Sequence, residues 1–570
     1  MQKILSNIVP ENKVREVQKE TLEVISNALC QSFGPKGSST AFIKNMDKTG
    51  VNISVEHTKD GHTIVKNIQF VNPIERSVQD ILTDLTRYVV KEVGDGTTSA
   101  IILCKTMFDC LCNNDIIINN SPADTLSYID KIIKEISNRI LSKGRECTID
   151  DIYNIALIST NNNEDIAGTL KQLYTKYGMD VFIDVGISTE SNNLVKEYDG
   201  MTMDTGYTDI CFVNEKYTNS ARVRNPKVYC FNDPIDTPEM LGWVQTIIEN
   251  NIFRAYRPGS VYEPVPTVIF CKSISGDTES YFQQVVQLMN GAHNVPLLIV
   301  SDIHQDYIYE DITKMLGAPM IKKYLDPNMQ AKDQELGLAP TPETICDFCG
   351  GAELIQADSN KTKIIRPKKM FNDDGSYSDE YNTMVTYLKT EIEKCEAEDA
   401  GVEATARAKR RYNSFKGNMV DFLIGGITLS DRNNLKASVE DAVLNCRSAA
   451  LNGVGYGANY MAYSVISEMK DEANYSGNAI VSALYDAYKE LLTILYSKSF
   501  SSLDTEGILV NCIKNGCPLN IRTNEYDGKV LSSIKSDVII LETINKILSL
   551  MFTTNQYLVQ TPMHNIYMAD

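Results

Sequence analysis

Residues 93–103, VGDGTTSAIIL, set an acid between two glycines and follow it with three hydroxyl side chains and an apolar run. The stretch from Ala100 to Phe108, AIILCKTMF, reads as the first turns of a buried helix, which places GDGTTS at that helix's amino end. There the leading backbone N–H groups lack partners, the helix dipole is positive, and glycine removes the Cβ atoms that would hold a ligand away from the backbone. Such an end suits a phosphate. Asp95 would oppose a bare anion, so the pattern makes chemical sense if a divalent cation lies between its carboxylate and phosphate oxygens. The same residues also fit an ordinary capped helix, with Asp95 shaping a turn and a threonine as N-cap. Taken alone, a short Gly-Asp-Gly signal does not separate the two.

Working outward, residues 72–93 place Ile74, Val78, Ile81, Leu82, Leu85, Val89, Val90 and Val93 at helical spacing, so a long amphipathic helix feeds into the loop. The first 30 residues carry another helical pattern, stopped at Ser32-Phe33-Gly34-Pro35-Lys36-Gly37. Between about Gly200 and Pro367 short β-rich runs, such as Leu297–Val300 and Val268–Cys271, alternate with helical patterns, as in an α/β domain. The Pro- and Tyr-rich stretch 253–267 reads as an inserted loop. Residues 385–412 read as a charged, solvated helix. A strand at Met419–Ile424, a turn at Gly425-Gly426 and a helix from about Asp431 to Leu451 follow. The last 115 or so residues are helical again, apart from a hairpin expected near Asn520–Ser533. The class is multi-domain α+β, with both termini forming one helical domain and the α/β middle inserted.

At 570 residues the chain exceeds one hydrophobic core, and length alone suggests about three or four domains. A net charge of −19 argues against nucleic acid or an anionic membrane as partner. No apolar run reaches the roughly 20 residues of a membrane span, and the N-terminus lacks a signal-peptide pattern, so a cytoplasmic location is expected. Fourteen cysteines without a regular framework imply reduced thiols. Cys346-Asp347-Phe348-Cys349 is a lone CxxC and is expected to be structural. The five histidines, His57, His62, His293, His304 and His564, show no ligand spacing and are expected at surfaces or turns.

Five motifs in order resemble the group I, GroEL-like chaperonins. They are SFGPKG at Ser32–Gly37, TKDG at Thr58–Gly61, GDGTTS at Gly94–Ser99, Val439-Glu440-Asp441-Ala442 followed by Arg447, and LMFTT at Leu550–Thr554. The resemblance implies an equatorial domain from residues 1–142 and 452–570, a hinged intermediate domain from 143–198 and 417–451, and an apical domain from 199–416. It implies an ATPase that uses ATP and magnesium to drive the folding of non-native proteins inside a homo-oligomeric ring, with seven subunits by family habit. A separate co-chaperonin lid is left open.

By the same resemblance Asp95 ligates magnesium, and Ser32, Phe33, Gly34, Pro35, Lys59, Gly96, Thr97, Thr98, Ser99, Gly457, Ala458 and Asn520 contact the nucleotide. Asp60 and Asp441 are the catalytic carboxylates, Asp441 arriving when the intermediate domain closes. Protein substrates would meet Tyr207, Phe212, Leu241, Val244, Tyr281, Val285 and Val286, whose helical spacing forms apolar stripes that suit either a groove or a core. Departures exist. The family's glycine run becomes Gly453-Val454-Gly455-Tyr456-Gly457-Ala458-Asn459, Cys211 replaces an aromatic residue, and Ser532 stands where the family has a ribose-contacting aspartate. These departures motivate an alternative, a holdase or folding cage with little ATP dependence. A small-molecule kinase would leave the other ordered motifs unexplained. The Asn-, Ile-, Lys- and Tyr-rich composition would suit a virus-encoded member.

Overall fold

The computed structural model describes residues 6–9, 11–45, 53–112, 122–179, 181–188, 190–203, 205–215, 219–290, 297–303, 306–324, 326–372, 374–397, 404, 407–408, 411–412, 415, 417–554 and 556–560. His293, His304, His564 and parts of the helix expected over 385–412 lie outside these residues. The chain divides into two compact units: one takes residues up to 180, 187–193 and from 424 onward, the other 181–186 and 194–423.

The first unit begins with β1 (Ser6–Val9), α1 (Glu11–Cys30), a hairpin of β2 (Thr40–Asn45) and β3 (Ile53–Thr58), α2 (Gly61–Asn67), α3 (Pro73–Val93), α4 (Thr97–Cys112), α5 (Pro122–Ser142), α6 (Ile149–Ser159) and α7 (Glu164–Tyr177). Local chemistry sets these boundaries. Asn72 caps α3 by accepting from the Ile74 N–H at 3.0 Å, with Pro73 in the first turn, and Gly94 ends it in the left-handed region at φ 74°. At α6, Thr148 and Asp151 form a capping box, and Arg145 grips both Asp151 oxygens at 2.6 and 2.7 Å. Hydrogen bonds from Arg145, outweighing the opposing effect of burial and helped by Thr148, hold the Asp151 carboxyl down at about 2. A depressed carboxyl stabilises the fold above its unfolded value near 4 and loses that contribution as the pH falls to about 2. Asp151→Ala should therefore cost about 2 kcal/mol at neutral pH. In urea denaturation the gap from wild type should close between about pH 4 and pH 2.

The second unit is built on one mixed sheet. Its strands are β4 (Phe182–Ile187), β5 (Leu194–Met203), β6 (Ala221–Arg224), β7 (Lys227–Phe231), β8 (Thr267–Cys271), β9 (Leu297–Val300), β10 (Met320–Ile321), β11 (Gly350–Ala357), β12 (Thr362–Pro367) and β13 (Gly417–Ile424), in the order β4-β13-β5-β12-β11-β7-β8-β9, with β10 on β7 and β6 on β11. The parallel core β7-β8-β9 is almost wholly buried, which explains its uninterrupted apolar reading. Helices α8 (Pro238–Asn251), α9 (Gly276–Asn290), α10 (Asp306–Leu316), α11 (Pro327–Glu335) and α12 (Asp379–Ala397) belong to this unit.

The chain then returns to the first unit with α13 (Leu429–Asn452), β14 (Val454–Tyr456), α14 (Tyr460–Asp471), α15 (Ala479–Ser497), α16 (Ser502–Asn515), β15 (Leu531–Ser533), α17 (Lys535–Thr553) and β16 (Tyr557–Gln560). The expected 520–533 hairpin takes a different form. Asn520 and Glu525 close a tight turn, while β15 pairs antiparallel with β14. The core of this unit joins both ends of the chain: Phe108 of α4 stacks on Phe552 of α17 at 5.1 Å, and Arg15 of α1 donates to the Met551 and Phe552 carbonyls at 2.7 and 2.6 Å. β1 and β16 pair antiparallel. All fourteen cysteines are free and none is exposed. His62 is half-buried in α2, its ring bonded to Thr86 Oγ1 at 2.8 Å. Among the described residues no helix is long and apolar enough to cross a membrane.

Candidate functional site

The amino end of α4 opens into a cavity of about 270 Å³ within the first unit. Its first intrahelical bond runs from Ala100 N to Gly96 O, which leaves the N–H groups of Thr97, Thr98 and Ser99 without an acceptor inside the helix. Gly96 adopts φ 93°, and a Cβ there would lie 2.6 Å from Ile540 Cδ1 of α17, so the loop needs glycine for both conformation and space. The loop Ser32–Pro35 forms a second wall. It is fixed by Ser32 Oγ donating to Leu29 O and by Lys498, whose ammonium donates to the Gln31 and Phe33 carbonyls at 3.1 and 2.8 Å.

The structure brings most of the expected nucleotide residues together. Ser32, Phe33, Gly34, Pro35, Asp95, Gly96, Thr97, Thr98, Ser99, Gly457, Ala458 and Asn520 all line this cavity. Lys59, Asp60 and Asp441 do not line it but flank the loop. Asp60 caps α2, its oxygens accepting from His62 N at 3.2 Å and Thr63 N at 2.8 Å. A Cβ at Gly61 would stand 2.7 Å from Thr97 Oγ1 and 2.8 Å from Thr98 Oγ1, so α2 begins against α4. Asp441 lies on α13 where that helix crosses the loop: a Cβ at Gly94 would meet Asp441 O at 2.9 Å and Leu444 Cβ at 2.3 Å.

Electrostatics tie the three carboxylates into one group. Burial, then the charges of Asp60 and Asp95, push the Asp441 carboxyl well above the ordinary range. Burial also raises Asp95, against a bond it accepts from Gly96 N at 2.6 Å. Asp95 is densely surrounded by protein yet open to solvent along the cavity, so its carboxylate is available to a ligand. No cation contributes to either shift. Among the described residues no three His, Cys, Asp or Glu side chains form a ready-made metal cage. This donor set fits magnesium, which commonly takes one or two carboxylates and completes its shell with phosphate oxygens and water.

The residues expected to meet protein substrates need correction. Phe212, Val244, Val285 and Val286 are buried in the core of the second unit, and only Tyr207, Leu241 and Tyr281 are partly exposed. Periodicity identified the apolar faces of α8 and α9 correctly, but those faces pack inward. The outward positions Gln245, Gln284 and Gln287 are polar.

The motif reading missed further cavity residues, among them Ser536 and Asp537. The clearest available signal was Asp537, a lone acid entering the apolar run Val538–Leu541.

Residues 25–250 match the TCP-1/cpn60 chaperonin family. Over 531 residues the chain is 22% identical to chaperonin GroEL 1 of Prochlorococcus marinus subsp. pastoris, covering 91% of this chain and 82% of that protein. Over 539 residues it is 22% identical to chaperonin GroEL of Onion yellows phytoplasma, covering 92% and 90%. The fold is similar to the chaperonin gp146 from the bacteriophage EL, crystallised in the presence of ATP-BeFx. The TM-score is 0.70 at 17% identity, covering 97% of this chain and 99% of that one. Along most of its length the chain is thus similar to GroEL-like chaperonins, and it shares the chaperonin fold.

Proposed function

We propose that this chain acts as a chaperonin that binds and hydrolyses ATP in the cavity at the head of α4, and uses that cycle to capture and release non-native proteins. The observation that carries the reading is the convergence of a phosphate-suited helix end with Asp441, whose carboxyl is raised by burial and by the charges of Asp60 and Asp95. The N–H groups of Thr97–Ser99 and the Thr97, Thr98 and Ser99 hydroxyls hold phosphate oxygens. Asp95 holds magnesium, which neutralises charge on those oxygens when bound. Asp441, with its raised proton affinity, accepts a hydrogen bond from the attacking water, and Asp60 orients that water from the start of α2. Lys59, exposed beside Asp60, adds positive charge at the same end.

On this reading residues 1–142 and 452–570 act as the equatorial domain, 143–198 and 417–451 as the hinged intermediate domain, and 199–416 as the apical domain of a homo-oligomeric, cytoplasmic ring. A ring of seven subunits follows the family by analogy, with or without a separate co-chaperonin lid, and the Asn-, Ile-, Lys- and Tyr-rich composition suits a viral source. Asp95→Ala should weaken Mg-ATP binding at least about tenfold, because a charge-assisted metal contact is lost. Calorimetric titration checks this, and unchanged affinity would remove the assignment. The ATP-independent holdase is favoured only by Ser532 at the adenosine side. Client refolding with and without ATP separates the two.

A further inference from the structure

The end of α15 seats two walls of the cavity at once, through residues that none of the five motifs contains. Gly34 adopts φ 76°, and a Cβ there would lie 2.5 Å from Leu495 Cδ1, so the loop that follows α1 rests directly on that leucine. Three residues on, Lys498 is the C-cap of α15, and its ammonium donates to the Gln31 and Phe33 carbonyls. Between them the buried Tyr496 donates its hydroxyl to Leu519 O at 3.4 Å, next to Asn520 on another part of the cavity lining.

Lys498 uses its charge in an uncommon way. A lysine near a surface ordinarily keeps its ammonium in water or against a carboxylate. This one is half-buried and bonds main-chain carbonyls. Helix α1 has no basic residue in its last turn, so the carbonyls at its exit have no cation from their own helix. Lys498 supplies one from α15. The loop also closes on itself, with Ser38 N donating to Gln31 O at 2.8 Å and Gly37 N to Gly34 O at 3.0 Å. Gln31 O therefore carries both the closing bond of the loop and the clamp from α15.

We propose that Lys498 is a positioning residue for nucleotide binding: it fixes the 31–38 loop, and so sets the wall formed by Phe33, Gly34 and Pro35 before a nucleotide arrives. The inference rests on the nucleotide reading above and adds to it the residue that preorganises one side of the cavity. A loop already held in its binding conformation does not have to be ordered by the ligand, so the clamp acts on affinity. The chemical step belongs to Asp60, Asp95 and Asp441 and is left alone.

The test compares wild type, Lys498→Met and Lys498→Arg as full chains, with melting curves to check that each is folded. Hydrogen exchange of the ligand-free proteins reads the loop, while calorimetric titration with Mg-ATP and steady-state turnover read the nucleotide. Lys498→Met should speed exchange at Gly37 and Ser38 about tenfold or more, while the amide of Asn520, whose wall is held by Tyr496, exchanges as in wild type. It should also weaken ATP binding and raise KM about tenfold, with kcat within about twofold of wild type. Lys498→Arg keeps a cation and its donors and should stay within about threefold of wild-type affinity. Unchanged affinity in a folded Lys498→Met protein overturns the inference and leaves the nucleotide reading intact. So does weaker binding with no change in loop exchange, a kcat that falls in step with affinity, or a Lys498→Arg protein as impaired as Lys498→Met. Failure of wild type to bind ATP overturns both. Should Lys498→Met not fold, Lys498→Gln, which keeps a shorter donor and no charge, is read by the same criteria.

Discussion

Asp441→Asn should slow ATP turnover at least about tenfold while leaving nucleotide affinity near wild type, because a neutral amide is a weaker acceptor for the attacking water and cannot take its proton, while the phosphate cradle is untouched. The same substitution should stabilise the ligand-free protein. In the folded chain burial and the charges of Asp60 and Asp95 raise the Asp441 carboxyl. A raised carboxyl contributes fully only below its unfolded value, near 4, and stability is lost as the pH rises from there through the raised folded value. Wild type should therefore lose melting temperature over that interval, and Asp441→Asn should lose less. Turnover assays and melting curves across pH, both without and with Mg-ATP, check the two halves of the prediction. Unchanged turnover would defeat the hydrolytic role, and an unchanged pH dependence would defeat the electrostatic one. Function and stability oppose each other at this residue because both derive from crowding negative charge where a cation is to bind.

Lys363→Met should destabilise the second unit by about 3–5 kcal/mol. Lys363 is almost completely buried, and its ammonium lies 2.5 Å from Asp184 Oδ2 and 2.8 Å from Asp421 Oδ1, joining β12 to β4 and β13. Both carboxylates hold it up at about 12 against burial. The pair does not share the charge evenly. Burial pushes Asp184 up, but Lys363 and Lys361 together outweigh it and leave the group below its ordinary value. Burial dominates at Asp421, which stays raised despite Lys363. Removing the lysine strands two carboxylates in the sheet, whereas Lys363→Met combined with Asp184→Asn and Asp421→Asn should recover much of the loss. Trp243, the only tryptophan and part of α8, reports on this unit in urea denaturation. A midpoint within experimental error of wild type for Lys363→Met would show that the triad is dispensable.

The sequence was most legible where function acts on the backbone. Gly94, Gly96 and the hydroxyls that follow announce a helix end, and that end is where the cavity lies. The alternation of apolar runs and helical patterns likewise gave the inserted α/β unit, since β7, β8 and β9 are buried on both faces. Legibility failed where one pattern serves two environments. The stripes at Val244 and Val285-Val286 identify a helix face but not what covers it, and a sheet covers it here. From its neighbours alone Asp60 reads as a turn residue, and it does cap α2; only the resemblance set it near the nucleotide, and the Gly61–Thr97 packing is what brings it beside the phosphate loop. Lys498 escaped because its significance depends on Gln31 and Phe33, 467 and 465 residues distant in sequence, meeting it at one cavity wall.

The pairing of β1 with β16, and of Phe108 with Phe552, also governs how the polypeptide is made. A ribosome adding about 5–20 residues per second exposes α4, most of whose side chains are destined for burial, tens of seconds before α17 exists to cover it. The second unit, contiguous from 194 to 423 apart from one short strand, can collapse as it emerges. The first unit must wait for α17. During its own synthesis this chain presents the sort of sticky, half-finished intermediate that a folding machine exists to shelter.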